Sequence, residues 1–205
     1  VSARSEGEPI VSFAVARDAV EPVSEFRSAW LHSSIRSLRT HGLFDRYLGL
    51  LPTKLHEPIL AAPLGVWLPG YLSEAHYAAC EKLALPAPLQ IAIGAEVAER
   101  VHGTILSIAV KMAHEAGATP WTVLSQFGKL WGYIWVGGAV GVFKLGPKEA
   151  RLEVLGWPCA RFDYCKNGVL GVTQGLIQLF CRKVYVREVP RLCTATSLGY
   201  RIAWA

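Results

Sequence analysis

The stretch VGVFKLGPKEARLEV, residues 140–154, decides the fold. Val140 and Val142 alternate with their neighbours on one side of Gly146-Pro147-Lys148-Glu149, and Leu152 and Val154 alternate on the other. A period of two on both flanks of a turn-forming tetrapeptide predicts an antiparallel hairpin. Downstream, the spacing turns helical over residues 164–180, and a second pair of strands follows at Val184 to Val189 and Ser197 to Trp204. Hairpin, helix and hairpin predict a four-stranded antiparallel sheet.

Upstream the period is that of helices. Phe26, Trp30, Leu31, Ile35 and Leu38 recur at three- and four-residue steps, predicting a helix over 24–41 that Gly42 stops. Four prolines, Pro52, Pro58, Pro63 and Pro69, allow only short turns in the connection that follows, and its apolar content implies that it packs on the domain, where it could serve as a lid. A short helix is predicted from Ser73 to Leu83. A long one is predicted from Leu89 to Ala116, with a stripe of Val97, Val101, Ile105, Ile108 and Met112. Thr119-Pro120 starts another, running to about Trp135. The class is therefore α+β: N-terminal helices, then hairpin, helix and hairpin, with the sheet packed on helices and room for a pocket between them. Residues 1–22 read as an arm, or as an edge strand around Ile10 to Ala16. Residues 23–205 read as one domain.

The chain is 52% hydrophobic and 18% charged. That charged share is below the roughly one quarter of ordinary domains, so the apolar surplus needs a cavity, a subunit interface or a membrane. The most apolar run, Pro58 to Leu72, is interrupted by Pro63 and Pro69 and is shorter than the ~20 residues of a spanning helix. No membrane span is expected. The first residues carry charges where a secretory leader would be apolar, so a cytoplasmic location is expected. Five cysteines without paired spacing read as reduced thiols. The net charge of +5 is spread along the chain, so nucleic acid is not an expected partner.

No Gly-x-Ser-x-Gly elbow, His-Glu-x-x-His, Cys-x-x-Cys or phosphate loop occurs. His76 and Cys80 stand four residues apart on one helix face, without a third group to orient them. These absences predict a binding protein and not an enzyme.

Four features carry a family resemblance. They are Gly156-Trp157-Pro158-Cys159; Cys165 with Gly168, Gly171 and Gly175; Val184-Tyr185-Val186-Arg187-Glu188; and Tyr200-Arg201-Ile202. Together they resemble the 4-vinyl-reductase-like domain, a relative of the haem-nitric-oxide-binding and transport-particle folds. The whole chain, through Pro120 to Leu124 and the later Gly-Trp-Pro, also resembles a paralogous family from myxobacteria. The resemblance implies two further sites. Phenol-sensing relatives hold a structural zinc through residues matched here by Cys165 and Glu188, with Cys193 near the third position but out of register. Transport-particle relatives carry an acyl chain on a buried cysteine, for which Cys80 is the candidate. The proximal histidine and Tyr-x-Ser-x-Arg motif of haem-binding relatives are not found, and His102 and His114 read as ordinary helix residues. No cofactor is therefore expected, zinc being the one metal implied.

The resulting expectation is a non-enzymatic sensor or carrier, homodimeric through helical faces, holding a small apolar ligand against Trp121, Phe127, Trp131, Trp135 and Trp157. A ligand-free scaffold module is the alternative, and a minor role in tetrapyrrole reduction the third reading.

Overall fold

The computed structural model describes residues 7–101 and 119–205. In chain order the first part holds β1 (Glu8–Val11), β2 (Glu25–Arg27), α1 (Ser28–Thr40), α2 (Phe44–Leu50), α3 (His56–Leu60), β3 (Trp67–Pro69), α4 (Gly70–Glu81) and α5 (Ala87–Val101). The second holds α6 (Pro120–Leu124), α7 (Phe127–Ile134), β4 (Trp135–Val136), β5 (Ala139–Gly146), β6 (Glu149–Leu155), α8 (Asp163–Gln178), β7 (Val184–Glu188) and β8 (Ser197–Trp204).

The 140–154 stretch is the hairpin of β5 and β6, with Val140 opposite Val154 and Val142 opposite Leu152. β8 adds to β6 and β7 to β8, all antiparallel. Leu152 faces Tyr200 and Val154 faces Leu198 across that junction. These side chains share one face and are buried under the helices. The sheet has five strands rather than four, in the order β1-β5-β6-β8-β7, because the N-terminal segment pairs with β5. A second sheet, β3-β2-β4, was not foreseen. Its strands are two or three residues long, too short to show a period.

That small sheet explains where α1 begins. Residues 24–27 have helical spacing, but Phe26 is ladder-paired on both sides, to Leu68 and to Trp135. The helix starts at Ser28, whose hydroxyl donates to the Pro63 carbonyl and accepts from the Val66 amide. The proline-rich connection packs as its apolar content implies, with Tyr47, Leu51 and Ile59 buried in the core. The helix expected from Thr119 to Trp135 is two helices. Ser125 donates its hydroxyl to the Thr122 carbonyl, a local bond that competes with helix propagation, and α7 restarts at Phe127.

α5 and α8 pack closely through glycine. A Cβ on Gly171 would overlap the Ile91 carbonyl, and one on Gly94 would overlap the carbonyl of Gly168. The glycines of α8 thus serve a helix contact, not a sheet or a ligand. The α8 N-terminus receives a carboxylate from α4, with the Tyr164 amide donating to Glu81 Oε2 at 2.8 Å. Ile105, Ile108 and Met112 of the predicted stripe lie outside the described residues.

Candidate functional site

α7 lies over the inner face of the main sheet, and between them four indoles gather. Trp131 comes from α7, Trp135 from β4, Trp157 from the loop after β6, and Trp30 from α1. Ring centroids are 4.8 Å apart for Trp135 and Trp157, 5.6 Å for Trp131 and Trp157, 5.7 Å for Trp131 and Trp135, and 6.0 Å for Trp30 and Trp135. Local backbone makes this crowding feasible. Gly138 has a φ of +62°, and a Cβ there would lie 2.8 Å from the Trp131 ring. Two indoles are anchored by their N–H groups, Trp131 donating to the Gly137 carbonyl at 3.0 Å and Trp30 to the Tyr77 hydroxyl at 2.9 Å. The Trp157 N–H is buried without a partner.

These rings wall a cavity of about 90 Å³. Phe127 and Ile134 of α7, Val140 and Leu152 of the sheet, and Val169 and Val172 of α8 complete much of the wall, and Thr173 contributes its one hydroxyl. Walls of this kind offer water almost no hydrogen-bond partner and favour an apolar guest. Of the residues the sequence singled out, Phe127, Trp131, Trp135 and Trp157 meet here. Trp121 does not: it packs edge-on to Trp204 at 4.8 Å and donates to the Pro147 carbonyl, away from the cavity. Sequence reasoning missed Trp30, which its helical stripe marked only as core.

A second buried cluster surrounds Cys80. The His76 ring joins Tyr47 Oη through Nδ1 and Ser34 Oγ through Nε2, both at 2.9 Å. Cys80 Sγ lies 3.7 Å from Nε2. Burial lowers the His76 pKa to about 3 and raises the Cys80 thiol far above its ordinary value. The imidazole is neutral and the thiol protonated, the reverse of an activated nucleophile.

Only two of the three zinc candidates are brought together: the Glu188 carboxylate lies beside Cys193 and, after burial and a backbone bond to Gly199, contributes to the shift of its thiol. Cys165 is buried in the core, where burial raises its pKa, and Glu188 is exposed at the end of β7. Cys193 Sγ donates to the Gly199 carbonyl and accepts from its amide. Among the described residues no three His, Cys, Asp or Glu side chains form a group able to hold a metal. No described helix is long and apolar enough to cross a membrane.

No protein-family model and no curated protein matches the chain. Solved structures do. A structure probing the function of heme distortion in the H-NOX family matches with a TM-score of 0.61 at 15% identity, over 87% of this chain and 94% of that one. A mutant H-NOX of T. tengcongensis matches at 0.60 and 17%, over 87% and 97%. An oxygen-binding H-NOX domain related to soluble guanylate cyclases, in its oxygen complex, matches at 0.59 and 14%, over 87% and 94%. The fold is that of the H-NOX domains. At these identities the likeness is one of architecture.

The likeness corrects the expectation that no cofactor is involved: the first of these H-NOX structures is named for heme distortion, and a further match, with a TM-score of 0.58 at 14% identity over 87% of this chain and 99% of that one, is named for heme redox potential and porphyrin distortion. The described walls of the cavity do not themselves fit a porphyrin. Their volume of about 90 Å³ is far below the roughly 300–1,000 Å³ of ligand clefts. No imidazole, thiol or phenol stands among them to ligate iron. The described histidines are engaged elsewhere, His32 with the Ala62 carbonyl, His41 with Glu96, His56 with the Leu48 and Leu51 carbonyls, and His76 as above. His102 and His114 lie outside the described residues.

Proposed function

We propose that this chain is a ligand-binding sensor domain, of the vinyl-reductase-like kind within this architecture, and that its ligand seat is the tryptophan-walled cavity. The observation that carries the reading is the cavity itself: apolar walls from helix and sheet, with four indoles among them. A cavity of about 150 Å³ lined by apolar side chains takes benzene or xenon. One of about 90 Å³ suits a guest of a few heavy atoms. Binding there touches α1, α7, α8 and the sheet together, so a guest that favours one packing of these elements shifts their balance, which is what a sensor needs. The neutral His76 and protonated Cys80 support binding over catalysis.

Xenon uptake followed by NMR tests the reading. Saturable uptake is expected in the parent chain and its loss in Val172→Phe, which fills the cavity. No saturable uptake, or uptake unchanged in that variant, would sink the proposal. Titration with hemin is the companion measurement. A sharp one-to-one Soret band would replace the small apolar guest by a porphyrin while leaving the sensor reading in place.

A further inference from the structure

The outer face of the main sheet, opposite the cavity, carries a row of like charges. Arg151 of β6 stands opposite Arg201 of β8, which stands opposite Arg187 of β7. Neighbouring strands lie about 4.8 Å apart, and like charges set directly abreast destabilise a sheet. Internal partners neutralise only part of the row. Arg151 bonds Glu153 at 2.6 Å, and Arg201 bonds Glu149, holding the Glu149 carboxyl below its usual range. Arg187 acts on the Glu149 carboxylate only as a weaker influence, after Arg201 and burial.

Half of this face is covered. Phe13 lies over Gly141 and meets Phe143, and Arg17 reaches across to Glu153 at 2.6 Å. The other half is an open depression of about 470 Å³, whose charged walls are Arg151, Arg187, Arg191 and Arg201 against Glu149 and Glu188. With Arg151 paired to Glu153, the three remaining guanidiniums face two carboxylates and leave it positive. A second depression of about 280 Å³ shares Arg187 and Arg201 and extends to Tyr185, an aromatic ring that is 63% exposed.

We propose that this face binds a nucleoside di- or triphosphate, its phosphates on Arg187, Arg191 and Arg201 and its base stacked on Tyr185. The chemistry fits at each point. Guanidiniums bind phosphate oxygens through paired N–H donors, and a polyphosphate satisfies several at once, relieving the repulsion along the row. An exposed ring beside a cationic groove offers a base its stacking partner. The volume of the larger depression is in the range of small-ligand clefts.

Calorimetric titration of the full chain with ATP and with inorganic triphosphate at low salt tests the assignment. Both are expected to bind, ATP more tightly. Arg187→Ala should weaken both about tenfold or more, consistent with loss of a charge-assisted pair. Tyr185→Ala should weaken ATP about fivefold to a hundredfold and leave triphosphate unchanged. Arg191→Glu repeats the charge test at a second position should Arg187→Ala fold poorly. Absence of binding to either probe, or binding indifferent to both arginine variants, overturns the proposal. Equal affinities with no effect of Tyr185→Ala overturn its base-stacking half. Tighter binding of a single-stranded oligonucleotide than of ATP overturns the small-ligand assignment in favour of nucleic acid.

Discussion

The two faces of the main sheet solve opposite problems. On the inner face, Val140, Val142, Leu152 and Val154 are buried against helices, and residual space appears as an apolar cavity among indoles. On the outer face the same strands, one residue out of phase, present Arg151, Arg187 and Arg201, and residual space appears as an open cationic depression. Period two is the cause of both. The inner face owes its stability to packing, where each side chain is costly to remove. The outer face spends charge that nothing internal fully neutralises, where a side chain is cheap to remove and costly only to a ligand.

That contrast breaks most readily at Trp135. Truncation to Ala removes the ring that touches Phe26, Trp30, Trp131 and Trp157. It should cost about 3–5 kcal/mol in urea unfolding, and a loss below about 1 kcal/mol would mean that the indole cluster is loosely packed. Gly171→Ala comes next. The Ile91 carbonyl has no room for a methyl group, so a cost of about 1–3 kcal/mol or more is expected from the same measurement.

His76 sharpens the comparison through pH. Its folded pKa of about 3 lies below the ordinary 6.5 because burial disfavours the cation. Between those values the unfolded chain holds a proton that the folded chain lacks. The stability this group contributes is complete above about pH 6.5 and is lost as pH falls toward 3, at about 1.4 kcal/mol per pH unit. Unfolding free energies at about pH 6 and pH 5, inside that window, should approach that slope in the parent and show a shallower one in His76→Gln. Trp157→Phe loses ring area but also removes a buried N–H that has no partner. The two offset, and a loss under about 2 kcal/mol is expected where an ordinary buried Trp truncation would exceed it. The smallest effect belongs to the outer face: Arg187→Ala should change stability by no more than about 0.5 kcal/mol.

Much of the architecture was legible locally. The two hairpins and α8 stand within a residue or two of where periodicity put them, because a period of two or 3.6 is written in neighbouring residues. The helical start at 24–27 was misread because Phe26 satisfies a helical stripe and a strand ladder equally well, and the choice lies in Leu68 and Trp135. The candidate site was half legible: tryptophan content pointed to an aromatic wall, but not to which rings would share it.

The sequence by itself determined the α+β class, the alternation that sorts valines inward and arginines outward, and the helices whose apolar stripes must be buried. Only the tertiary structure decided that Trp30 joins the cavity while Trp121 leaves it, that Glu188 reaches Cys193 without forming a metal-holding group with Cys165, and that three arginines stand abreast. Each of these depends on register between strands or on packing between elements distant in the chain. Those contacts follow from minimising exposed apolar surface over the whole molecule, and no local pattern encodes them.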